Sequence, residues 1–206
     1  MAGTMPHAIF VETGLDDGTT VAAYAAELPG CAVFAPTDAE ASHAIPQRVG
    51  AFVRWLRSVG EEQTEIVGDN WYEVERAPLG TGADARASFS LDELPPSDVE
   101  WDRWRRWLEL AREELAEAID EVGLPAATDD HAIGAIADQD AVLALGVGAE
   151  LRDQPTDPID RFYAARDLLL TALETAGPAG NGVRRALRIG IADDLRLAER
   201  LREGAR

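Results

Sequence analysis

The chain of 206 residues contains no lysine; all 19 of its basic residues are arginine, set against 38 acids for a net charge of −19. A surface this acidic repels phosphate backbones, and affinity for nucleic acid rests on basic contacts. Nucleic-acid binding is therefore disfavoured, as is binding to anionic membranes. The single cysteine, Cys31, permits no internal disulfide and agrees with a reducing compartment. No apolar run approaches the roughly 18 residues a membrane helix needs. The opening residues carry neither a basic nor an apolar targeting region, so a cytoplasmic protein is expected. Only three histidines occur, none beside a Ser or Cys in a nucleophile motif.

What is present is ordinary globular composition, 46% hydrophobic and 28% charged. The acid excess is shared: residues 1–90 carry 13 acids and 5 arginines, residues 91–206 carry 25 and 14. Such a surface suits solubility, and it also suits a basic protein partner.

The N-terminal half reads as strands, a helix and a closing strand. Ala8–Glu12 and Thr19–Glu27 are strand-like, joined at Leu15-Asp16-Asp17-Gly18, where Asp-Gly signals a hairpin. Leu28-Pro29-Gly30 interrupts the pairing before Cys31–Ala35 resumes it. Thr37, with Glu40 three residues on, reads as a helix cap. Ala41, Ile45, Val49, Phe52 and Leu56 fall on one helical face, Pro46 should kink or split that helix, and Gly60 ends it. Glu65–Val67 and Trp71–Glu75 read as a closing strand or hairpin. Cys31 lacks a basic neighbour and is expected as a small apolar residue; His7 and His43 are expected at the surface.

The string Leu28-Pro29-Gly30-Cys31, a short strand, Thr37-Asp38-Ala39-Glu40-Ala41 and a helix ending Trp55-Leu56 resembles the HicB-type domain over residues 7–78. The resemblance implies a protein-binding module of the antitoxin kind; no helix-turn-helix or basic arm accompanies it.

Prolines and glycines across 79–96 suggest a linker between a domain of residues 1–78 and one of residues 97–206, with Ala87–Leu91 as a short strand or pin. Four helical stretches follow. The first is capped by Ser97 and Glu100 and carries the seam Trp101, Trp104, Leu108, Ala111, Leu115, Ala118 and Val122. The second is expected from Asp129 to about Leu151, the third from Asp157-Pro158 to Gly177, the fourth after Asn181. The fold class expected is α+β: a small β-β-β-α-β domain, then a four-helix bundle.

Ala135-Ile136-Ala137-Asp138 and Gly190-Ile191-Ala192-Asp193 make the second half similar to the DinB-like bundle family. That resemblance implies a metal site with one histidine from the second helix and two from the fourth. The matching positions here are Ala135, Gly190 and Asp194, of which only Asp194 could ligate. A divalent metal held instead by His131, Asp140 and Asp194 is one alternative. The other is that Asp140 and Asp194 pair with Arg166, Arg184 or Arg188. The leading expectation is a non-catalytic binding or assembly protein without cofactor, dimerising through its bundle. The alternatives are a metal-dependent enzyme acting on a small thiol or other small molecule, and an antitoxin-like protein masking a basic partner.

Overall fold

The computed structural model describes residues 7–61, 70–80, 86–123, 130–150 and 153–204, with the side chains of Asp130 and His131 left aside. The fold is α+β, and the chain divides into two compact units, residues 1–90 and 91–206.

In the first unit, strands β1 (His7–Gly14), β2 (Thr20–Ala25), β3 (Ala32–Ala35) and β4 (Trp71–Pro78) form one sheet in the order β3-β2-β1-β4. β1–β2 and β2–β3 are antiparallel, and β4 runs parallel to β1. The β1–β2 hairpin turns at Leu15–Gly18, where Asp16 and Asp17 adopt φ of 50° and 58°. Two successive left-handed residues match the twist of the flanking strands. Leu28-Pro29-Gly30-Cys31 is a buried tight turn. Cys31 N donates to Leu28 O, Pro29 sets the first corner, and Gly30 at φ 85° takes the second. Cys31 is fully buried.

Helix α1 (Asp38–Ser58) lays Ala41, Ile45, Val49, Phe52 and Leu56 against the sheet, and Thr37 caps it by accepting from Glu40 N. The helix runs unbroken through Pro46, contrary to the expected split. Pro46 lies on the exposed side, while the buried stripe holds turns on both sides of it to one surface. That burial outweighs a proline cost of about 3 kcal/mol. Among the sequence expectations, Glu65–Val67 lies outside the described residues.

The opposite face of the sheet is covered by residues 86–89. Phe89 stacks on Phe10 at 4.9 Å between centroids and meets Tyr24 edge-on. Ser90 ties to the Glu75 carboxylate through its N and Oγ. Part of the expected linker thus belongs to the first unit, while Asp92 and Leu94 bond within the second.

The second unit contains α2 (Asp98–Val122), α3 (Asp130–Gly146), α4 (Pro158–Ala176) and α5 (Val183–Gly204). Ser97 and Glu100 form both halves of a capping box, and Asp157 caps α4 through Ile159 N and Asp160 N. α3 ends at Gly146 rather than near Leu151. Ala149 N and Gly148 N bond back to Ala144 O and Leu145 O, and Gly148 is left-handed at φ 102°, which closes the helix. Trp101, Trp104 and Trp107 are all buried.

One apolar layer contains Leu115 and Ile119 of α2, Ile133 and Ala137 of α3, Phe162 and Ala165 of α4, and Leu197 and Ala198 of α5. Going into this layer from Arg112, Asp140, Arg166 and Asp194 means moving C-terminally on α2 and α5 but N-terminally on α3 and α4. α2 and α5 therefore run one way and α3 and α4 the other. Parallel α3 and α4 need a long return connection, and residues 147–157 supply it. Among the described residues, no helix is long and apolar enough to cross a membrane.

Candidate functional site: a four-helix charge centre

Each helix of the bundle contributes one buried charge to a single cluster: Arg112 from α2, Asp140 from α3, Arg166 from α4 and Asp194 from α5. Leu108, Arg112 and Leu115 are spaced four and three apart, so Arg112 lies on the apolar seam of α2. Asp140, Arg166 and Asp194 hold equivalent places on the other stripes, and all four are at most 7% exposed.

The bonding has an order. Arg112 grips Asp194 with two atoms, Nε to Oδ2 at 3.2 Å and Nη2 to Oδ1 at 3.1 Å. Arg166 grips Asp140 likewise, Nε to Oδ2 at 3.1 Å and Nη2 to Oδ1 at 3.2 Å. So α2 and α5, and α3 and α4, each share a two-point ion pair. Two single bonds then join the pairs: Arg112 Nη2 to Asp140 Oδ2 at 2.6 Å and Arg166 Nη2 to Asp194 Oδ2 at 2.8 Å. The cluster is formally neutral, the condition under which four buried charges are tolerable.

Neighbouring groups fix the arginines. The Arg112 guanidinium lies 3.8 Å from the centroid of the Phe162 ring. A Cβ on Gly190 would stand 2.8 Å from Leu108 Cδ1, so the missing side chain lets Leu108 pack closely against α5 beside the cluster. The Nη1 groups of Arg112 and Arg166 are buried without an acceptor among the described residues. Burial pushes the Asp194 carboxyl up to about 6; Arg166 and Arg112 oppose that rise and Asp140 adds to it. Arg166 is held more firmly protonated than usual: burial works against its charge, and Asp140 and Asp194 outweigh burial.

Of the residues singled out from the sequence, the structure brings together Asp140, Asp194 and, beside them, Gly190. Ala135 is exposed on α3 and does not share this centre. The His131 side chain lies outside the described residues. Of the three arginines expected as partners, only Arg166 serves. Arg188 instead clasps Asp92 at 3.2 and 2.6 Å, and Arg184 donates to Leu94 O and lies over the Trp104 ring. Arg112 is not among the partners expected from the sequence, and its place on the α2 seam between Leu108 and Leu115 is the signal for it.

The donor set does not fit a transition metal. Such a site needs three or four free N, O or S ligands converging on a point. Asp140 and Asp194 are already engaged by two guanidiniums each, and a dication between them would face two fixed positive charges. Among the described residues no group of three or more His, Cys, Asp or Glu could hold a metal ion.

The first unit has its own buried charge. Glu12, fully buried on β1, accepts from Arg86 Nε at 3.0 Å, Arg86 Nη2 at 3.1 Å, Tyr24 Oη at 2.7 Å and Ala87 N at 2.6 Å. These bonds fasten residues 86–89 over the sheet.

No family model matches this chain, and no curated protein or solved structure matches it significantly.

Proposed function

We propose that this chain is a non-catalytic binding or assembly protein. The observation that carries the reading is the charge centre: both carboxylates at the middle of the bundle are committed to arginines from neighbouring helices. They hold helices together and are not free to take protons from, or ligate, a substrate. The second half is similar to DinB-like bundles, and of the positions matching that family's ligands Ala135 and Gly190 cannot ligate, Ala135 lying exposed and away from the charge centre. The resemblance of the first unit to HicB-type domains and the net charge of −19 favour a basic protein partner. Homodimerisation through the bundle belongs to the same reading.

Size-exclusion chromatography with light scattering, paired with a pull-down from lysate, tests it. The expected result is a dimer or the capture of a basic protein. A strict monomer that captures nothing overturns the reading. Elemental analysis of the purified protein provides a second check, with no stoichiometric zinc, nickel, manganese or iron expected.

A further inference from the structure

Ala164, Asp167, Leu168 and Thr171 lie on one stripe of α4, at spacings of three, one and three. Asp153 and Gln154, from the connection before α4, face them across a groove of about 270 Å³. The floor is partly apolar through Ala164 and Leu168, and the two charged groups among the described lining residues are both carboxylates. Among the described residues no arginine pairs with either of them, although surface arginines elsewhere on the bundle find acids, as Arg105 does with Glu109 and Glu174 and Arg202 with Glu114 and Glu121. Gln154 Oε1 is buried and accepts no hydrogen bond among the described residues. Tyr163, one helical turn before Asp167, leaves half its surface exposed.

We propose that this groove is a docking site for an arginine side chain of a basic polypeptide partner. This deepens the reading of the chain as a binding protein and rests on it. The chemistry is complementary at each point. The methylene stem of arginine packs on Leu168 and Ala164. Its planar guanidinium can present separate N–H edges to Asp153 and Asp167 on opposite walls, a match that a lysine ammonium lacks.

The test is fluorescence polarisation at low salt with the full chain and a labelled basic nonapeptide carrying one central arginine. Parallel peptides carry citrulline, which has nearly the same shape without charge, or lysine at that place. Asp167→Asn should weaken binding about fivefold and Asp153→Asn/Asp167→Asn more than tenfold, since each replacement removes one ion pair. Citrulline should cost as much as the double variant, and lysine should bind more weakly than arginine. Asp102→Asn/Asp120→Asn removes the same charge from exposed positions on α2 and should leave binding unchanged. Both groove carboxylates are exposed and, among the described residues, unbonded, so melting temperature should not move in the groove variants.

Absence of binding, or binding unaffected by the double variant, overturns the groove. Peptide binding that ignores the groove variants leaves the basic-partner reading standing. Groove-dependent binding by a strict monomer that captures no protein leaves the groove standing and removes the assembly reading.

Discussion

Glu12 and Asp194 are both fully buried carboxylates, yet their surroundings drive them in opposite directions. Burial raises each. At Glu12 it is outweighed by Arg86, the Ala87 N–H and the Tyr24 hydroxyl, and the carboxyl is held below its usual range. At Asp194 burial prevails, and the carboxyl stands near 6. The difference lies in sharing. Glu12 is held by the Arg86 guanidinium and two neutral donors, and no neighbouring acid acts on it among these groups. Asp194 divides two guanidiniums with Asp140, whose negative charge works against it. Neutral donors stabilise a buried anion without importing a competitor; an ion network imports one.

The comparison breaks most sharply when one arginine is removed. Arg166→Met leaves Asp140 and Asp194 with a single guanidinium in a dry interior, and should cost the second unit about 3–5 kcal/mol. Urea denaturation followed by tryptophan fluorescence measures it. Replacing all four charges with apolar residues of similar volume should cost far less than this single change, because no charge is then left unpaired. If the fourfold variant is the less stable one, the cluster contributes net stability and is more than a neutralised liability.

In the first unit the matching change is milder. Glu12→Gln keeps an acceptor for Tyr24 and Ala87 but removes the charge facing Arg86, which is only 10% exposed in its side chain. The expected loss is about 2 kcal/mol, the range for hydrogen bonds to charged groups. Hydrogen exchange should show residues 86–90 opening first, since Glu12 holds that segment to the sheet.

Both centres bear on what the sequence disclosed. The apolar periodicities were legible: the α1 stripe, the α2 seam, and the turn signals at Asp16-Asp17-Gly18 and Leu28-Pro29-Gly30 all mark structure found there. Local chemistry dictates those features, so a single sequence carries them. The charge centres were less legible because their partners are far apart in sequence. Glu12 and Arg86 are 74 residues apart and meet because residues 86–89 lie over the sheet. Arg112 and Asp194 are 82 residues apart. Asp140 and Asp194 are legible as candidate acids, and Arg166 is among the arginines expected to pair with them. The convergence of four helices on one layer could not be read without the bundle's register. The end of α3 expected near Leu151 falls too late because Val147 and Leu151 keep a helical apolar spacing in the sequence, while Gly146 and Gly148 carry the stronger stop.

The smallest expected effect is the one that separates the two centres by sign. A group whose folded pKa is raised contributes stability that is present below its unfolded value and lost as pH rises through the folded value. For Asp194 the window lies between about 4 and about 6. Going from pH 7 to pH 5, the native state takes up a proton that the unfolded chain does not, and the second unit should gain about 1 kcal/mol from this group. Glu12 behaves in reverse: its contribution is present above the ordinary carboxylate range and is lost as pH falls through its lowered value. It is therefore flat across the same interval. Hydrogen exchange at pH 5 and pH 7, corrected for intrinsic rates, reads each unit separately. Protection in α2–α5 should rise on acidification relative to Asp194→Asn, in which the titrating group is gone, while protection around β1 should show no step that Glu12→Gln removes. If wild type and Asp194→Asn change in parallel, Asp194 is not the group that titrates, and the guanidiniums hold it ionised as Arg86 holds Glu12.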